Sequence, residues 1–199
     1  GISNITIVGN YLPYDFTSRD IGPGNCLIDA WVRKNSNKKF DQDGKIALSG
    51  KKNEIIFEQA QELYTNRVDK EKASFDISDF DISFSRGLSL EDGATTLTEF
   101  TASIIGESLL TQIKNHKELK EILICGGGRK NKVLLDRIKK NLASNIKIQL
   151  IDDYNINGDF VESQAFAYLA IRSILNLPIS FPSTTGCEKP SVGGEIIEN

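Results

Sequence analysis

The sequence predicts an α/β layered fold with a partly parallel, mixed sheet flanked by helices, in a single domain spanning residues 1–199. Three observations carry this. Segments of period-two apolar alternation interleave with segments whose apolar residues recur at i, i+3 and i+4. The second half reads strand, glycine turn, helix, strand, helix, the order of a parallel crossover unit. The chain has 199 residues, with 39% apolar residues and 16 glycines, a balance ordinary for one domain. A formal net charge of −3 argues against a charge-driven nucleic-acid binder. The best apolar stretch, residues 160–179, is broken by Glu162, Arg172 and Pro178, so no membrane span is expected.

Each element has its own reason. Residues 2–8 alternate Ile2, Ile5 and Ile7 with polar neighbours and predict a strand, followed by a second extended segment ending near Asp20. Ile21-Gly-Pro-Gly-Asn25 predicts a tight turn, and residues 25–34 a helix burying Leu27, Ile28, Trp31 and Val32. Residues 35–52 read as a polar loop, with a turn at residues 41–44, and residues 54–64 as a short helix. Residues 65–91 are charged and aperiodic, tacked down by Phe75, Phe80 and Phe84. Thr96-Leu-Thr-Glu99 has the capping-box pattern and predicts the start of a helix that buries Leu97, Phe100, Ile104, Ile105 and Leu109. A strand at 121–125, a helix at 131–142 and a strand at 146–151 follow. The last helix, opening at residues 159–162, is apolar on most sides and is expected to be sandwiched. From Pro178 the tail reads as extended, either disordered or a loop closing over a ligand.

Cys26, Cys125 and Cys187 are odd in number and far apart, with no C-x-x-C pair and no secretory stretch among the first residues. Reduced thiols in a cytoplasmic protein are the expectation. Cys26 follows a Gly-Pro-Gly-Asn turn, but the one histidine, His116, sits in a lysine-rich loop, so a cysteine hydrolase lacks its base. Zinc ligands at usable spacing are absent. No methionine occurs, so Gly1 is expected to follow a removed initiator or to lie inside a longer chain.

Three features can carry chemistry. Asp20, at a strand end before a turn and a helix start, suits work on an anionic group, as a base or a metal ligand; it reads equally well as a local acceptor beside a structural turn. Gly126, Gly127 and Gly128, between a buried strand and a helix, let a ligand approach the backbone closely, or serve as a flexible connection. Asn131 stands where a dinucleotide fingerprint needs its last glycine, so that fingerprint is excluded. Glu162 reads locally as the reciprocal partner of Asp159 in a capping pair.

Six segments, in order, resemble the anhydro-N-acetylmuramic acid kinase family, part of the actin-like sugar-kinase ATPase superfamily. They are Gly1 to Thr6; Asp20-Ile-Gly-Pro-Gly-Asn25 with Leu27-Ile-Asp-Ala-Trp31; Ala94 to Thr98; Cys125-Gly-Gly-Gly128 with Asn131; Gly158-Asp-Phe-Val-Glu162 with Gln164-Ala-Phe166; and Phe181 to Gly186 with Pro190, Gly193 and Gly194. The resemblance implies a ribonuclease H-like second lobe. It implies ATP, with Mg²⁺ held through ATP, as phosphoryl donor, and anhydro-N-acetylmuramic acid as substrate. Asp20 matches the family's general base. Gly22, Asn25 and Glu162 match positions near the sugar, and Gly126, Gly127, Gly128 and Asn131 match the turn beside the nucleotide.

Two departures stand out. Ile21 replaces the family's usual Thr next to the base. Nothing here resembles the phosphate loop of the family's N-terminal half, and the strand that begins the second lobe's sheet is missing too. The resemblance therefore implies a C-terminal lobe whose N-terminal half is absent, and a chain that associates with itself or aggregates alone. A kinase portion completed by that half is one reading, and a non-catalytic remnant or nucleotide- or partner-binding module is the alternative.

Overall fold

The computed structural model describes residues 1–9, 15–67, 74–142, 146–195 and 197. The alternating isoleucines form β1 (Ile2–Val8), antiparallel to β2 (Phe16–Pro23). Ser3 faces Gly22 and Asn4 faces Asp20, which leaves Ile21 as one extra residue on β2. This is a β-bulge, a device that bends a strand and re-aims its side chains. The tight turn expected from Ile21 onwards is therefore shorter. β2 runs through Pro23, and the chain bends at Gly24 and Asn25, where the Gly24 amide donates to the Gly1 carbonyl at 2.8 Å.

Helix α1 (Cys26–Asn35) buries the expected face, and its Trp31 indole donates to the Leu90 carbonyl at 2.9 Å. The polar stretch expected as loop holds a 3-10 turn (Gln42–Gly44) and α2 (Lys45–Ser49). Buried Asp41 starts α2 by accepting from the Ile46 and Ala47 amides at 2.7 and 2.9 Å. Five residues are too few to show a helical period, so the sequence hid this element. Helix α3 (Glu54–Arg67) runs three residues beyond its expected end. Phe80 and Phe84 then pack beside Tyr64 and Phe100, as expected of the aromatic tacks. Residues 68–73 of that stretch lie outside the described residues.

The central element is α4 (Leu90–Asn115). It starts six residues before the expected Thr96 box, capped by Ser89, whose hydroxyl accepts from the Asp92 amide at 3.1 Å. Thr96 lies inside the helix and donates to the Asp92 carbonyl at 2.7 Å, while Glu99 pairs with Arg137 at 2.6 Å. Hydroxyls satisfied by the preceding turn let a threonine-rich segment stay helical and buried. Leu97, Phe100, Ile104, Ile105 and Leu109 are buried as expected.

β3 (Glu121–Ile124), α5 (Lys132–Lys140) and β4 (Lys147–Leu150) form the parallel unit, with Glu121 opposite Lys147. Among the described residues the strands make two separate two-stranded sheets, where one mixed sheet was expected. Both rest on one helix layer. Ile5 of β1 and Ile122 of β3 pack against the same cluster of Ile21, Ala102, Ile105, Leu109, Leu134 and Ile138.

Helix α6 (Val161–Ile174) departs most from expectation, because none of its residues is buried. Phe166, Tyr168, Ile171 and Ile174 are exposed, Phe166 to 64%. The sandwich expected from its composition is absent among the described residues. Its end is tied by Arg172 to the Pro178 carbonyl at 2.6 Å and by Ser173 to the Gly193 carbonyl at 2.7 Å. The tail folds back through α7 (Pro182–Thr185), with Phe181 edge-on to Phe16 and a bridge between Ser180 and Ser191. Among the described residues no helix is long and apolar enough to cross a membrane.

Candidate functional site

Asp20 sits half-buried on β2 beside the bulge, and its Oδ2 accepts from the Phe75 amide at 2.8 Å. The segment around Phe75 thus passes over this carboxylate, a neighbour 55 residues away that no local pattern could supply. Ile21 turns inward and is 7% exposed, in the apolar cluster beneath β1 and β3. Gly22 is buried with φ +150°, and a Cβ there would lie 2.6 Å from Ile104 Cγ2. Close packing of β2 on α4 therefore demands glycine at this position.

Asn25 precedes α1 without capping it by its side chain. Its Oδ1 accepts instead from Asn131 Nδ2 at 3.2 Å. Asn131 also caps α5, its Oδ1 accepting from the Leu134 amide at 3.1 Å. These two asparagines, 106 residues apart in the chain, bring the β2 end and the glycine turn side by side.

The glycine turn is open. Gly126 has φ +75°, which favours glycine, and a Cβ added at Gly126, Gly127 or Gly128 would meet nothing within 4 Å. Arg129 follows and is 7% exposed. Its Nε and Nη2 donate to the two oxygens of Asp152 at 2.7 and 3.1 Å, and its Nη1 donates to Asp159 at 2.9 Å and to the Gly126 carbonyl at 3.0 Å. Hydrogen bonds from Arg129 hold the Asp152 carboxyl down at about 2. Lys130 and then Arg129 lower the Asp159 carboxyl, and the two carboxylates raise the guanidinium in return.

Glu162 is exposed in the first turn of α6. The capping pair with Asp159 does not form: the residue before α6 is Phe160, and the Asp159 carboxylate is engaged by Arg129 and Lys130. Among the described residues no hydrogen bond or ion pair joins Asp20 or Gly22 to Glu162, while Glu162 lies three positions beyond Asp159 of the arginine cluster. The sequence reading missed Arg129, Asp152 and Asp159 as a unit. The available signal was an arginine directly after three glycines, with acidic residues at both ends of the following strand-to-helix connection.

Other features carry less. Burial pushes the Cys26 thiol up, which disfavours the thiolate a nucleophile needs. His116 ends α4 beside Glu118. Among the described residues no group of three or more His, Cys, Asp or Glu side chains is arranged to hold a metal ion. A cleft of about 230 Å³ between β1, β2, Gln112 and the α7 region contains none of the predicted site residues.

The family model for anhydro-N-acetylmuramic acid kinase matches residues 1–199. The chain is 52% identical over 201 residues to the anhydro-N-acetylmuramic acid kinase of Pelagibacter ubique (strain HTCC1062), covering 100% of this chain and 53% of that one. It is 38% identical over 198 residues to the kinase of the same name from Zymomonas mobilis (98% of this chain, 52% of that one). Identity to the Caulobacter vibrioides kinase is 34% over 197 residues (99% and 51%). The chain spans about half the length of the curated relatives it matches. With every residue inside the family model, the chain belongs to the anhydro-N-acetylmuramic acid kinase family.

Proposed function

We propose that this chain is the C-terminal lobe of a two-lobed cytoplasmic kinase. With ATP, that kinase opens the 1,6-anhydro ring of anhydro-N-acetylmuramic acid and phosphorylates O6, giving N-acetylmuramic acid 6-phosphate during cell-wall recycling. The observation that carries the reading is the Asn25–Asn131 hydrogen bond, which joins the Asp20-to-Asn25 motif to the open glycine turn. In this reading Asp20 takes a proton from the water that attacks the anomeric carbon. The bond from that carbon to O6 breaks as O6 accepts the γ-phosphoryl group, and ADP leaves. Positioning and charge neutralisation do most of such work.

Gly126, Gly127 and Gly128 would lie along the nucleotide, and the open space above them is compatible with a bulky anionic ligand. Gly22 acts here by letting β2 approach α4, so its part in sugar binding is to shape the strand end. Asn25, Asn131 and Glu162 complete the proposed set, with Glu162 on the sugar side. Magnesium would arrive on the ATP phosphates and neutralise their charge. The two small sheets over one helix layer support a ribonuclease H-like lobe in which a further strand, from the other half of the protein, lies between β1 and β3.

The test is ADP release from ATP and anhydro-N-acetylmuramic acid, with this chain alone and after adding a complementary half. Sugar-dependent ADP only on mixing is the expected result. Release by this chain alone would mean that the phosphate site is built without the other half. No ADP in either arm, with both pieces folded, would favour a non-catalytic binding module.

A further inference from the structure

We propose that Arg129 is a positioning residue that sets the glycine turn for the nucleotide, using Asp152 and Asp159 as its anchors. This rests on the nucleotide reading of that turn. A guanidinium this deeply covered is tolerated only when its donors are matched. Here Nε and both Nη nitrogens are engaged, two of them in the planar fork on Asp152. One Nη1 contact goes to the Gly126 carbonyl, the hinge of the turn, where the backbone is left-handed. Arg129 therefore holds the turn from beneath while its Cβ positions stay open above.

The anchors lie on a different part of the chain. Asp152 belongs to the 3-10 turn Ile151–Tyr154 after β4, and Asp159 lies two residues before the first residue of α6. Gly158 between them admits the guanidinium: a Cβ there would sit 2.3 Å from Arg129 Nε. The Gly158 amide donates to Asp152 at 3.3 Å and Lys130 pairs with Asp159 at 2.7 Å, closing the cluster. The Arg129 side chain is 6% exposed, while the Asp152 and Asp159 carboxylates that hold it are 41% and 47% exposed, so the cluster is covered on its guanidinium side. The cluster ties the turn beside the proposed nucleotide to the connection between β4 and α6.

The experiment uses the protein assembled from this chain and its complementary half, comparing wild type with Arg129→Ala, Arg129→Lys, Asp152→Asn and the Ala/Asn double variant. Steady-state kinetics are read alongside amide hydrogen exchange of residues 126–130 without ligand. Arg129→Ala is expected to raise KM for ATP by about tenfold or more while kcat and the sugar KM move less than about threefold. Exchange in the turn should accelerate. Arg129→Lys should recover part of the loss, and the double variant should be no worse than Arg129→Ala, because both changes cut one interaction. An unchanged ATP KM in folded Arg129→Ala protein, with active wild type, would overturn the proposal and leave the kinase reading intact. A uniform loss in kcat and both KM values, tracking a lower melting point, would reduce Arg129 to a structural residue. Wild-type protein that neither binds nor turns over ATP would overturn the kinase reading and, with it, the purpose assigned to the clamp.

Discussion

Asp20 and Ile21 are adjacent but face opposite environments, as successive strand residues do, and Ile21 is the extra residue of the bulge. Asp20 stays half-buried under the Phe75 amide, while Ile21 fills the apolar cluster. An isoleucine at residue 21 is accommodated by this burial. Ile21→Thr is therefore expected to lower stability by about 1–3 kcal/mol, since it removes packed methyl groups and buries a hydroxyl. A drop in the thermal midpoint checks this, and an unchanged midpoint would mean the cluster tolerates a polar group. If Asp20 has the base role proposed for it, Asp20→Asn in the protein assembled with its complementary half should cut turnover by about 10²-fold or more with little change in ATP affinity, because the amide cannot accept the proton. An equal loss of ATP binding, measured by calorimetry, would reassign Asp20 to the phosphate or metal side.

At the scale of elements, α4 organises the molecule, and Gly93 shows how closely its neighbours approach. A Cβ there would lie 2.3 Å from the Trp31 ring. Gly93→Ala gains about 1 kcal/mol of helix propensity. The overpacking penalty against a rigid, buried indole is about 1–3 kcal/mol, so the net change should be destabilising. The sign of the shift in unfolding midpoint decides between the two effects. The arginine cluster makes a second prediction, on pH. The carboxyls of Asp152 and Asp159 are both lowered on folding, so the cluster's contribution is complete above the usual carboxylate range near 3.8. It should fade as pH falls from about 4 toward 2, where Asp152 takes up its proton. Exchange protection of residues 126–130 is expected to be flat from neutral pH down to about 4 and to fall below it. Loss of protection already at pH 6 would show that another group governs the turn.

For the whole molecule, the unusual feature is apolar surface without cover. Phe166, Tyr168, Ile171, Ile174 and Leu175 are exposed along and just beyond α6, and among the described residues the two small sheets are not hydrogen-bonded to each other. Patches and open strand edges of this kind invite association. The chain by itself is expected to dimerise or aggregate, and the complementary half should suppress this. Light scattering tests it: a monodisperse monomer with a cooperative melt would count against a missing partner.

The residues by themselves determined most of the secondary structure. β1, α1, β3, α5 and β4 follow from the apolar pattern, because that signal is local, whereas Asn131 was singled out by the family resemblance and its capping of α5 only by the structure. The family was legible too, since six short segments in order are specific even where each alone is weak. Local signals misled at Thr96 and Asp159, where buried threonine hydroxyls and a distant arginine took the bonds that capping boxes would use. Only the tertiary structure decided the bulge at Ile21, the Phe75 amide on Asp20, the Asn25–Asn131 bridge and the Arg129 cluster. Each of the last three joins residues more than 20 positions apart, and the bulge depends on pairing with a second strand. Such contacts are set by packing on α4 and by the need to satisfy buried polar groups, neither of which a local pattern encodes.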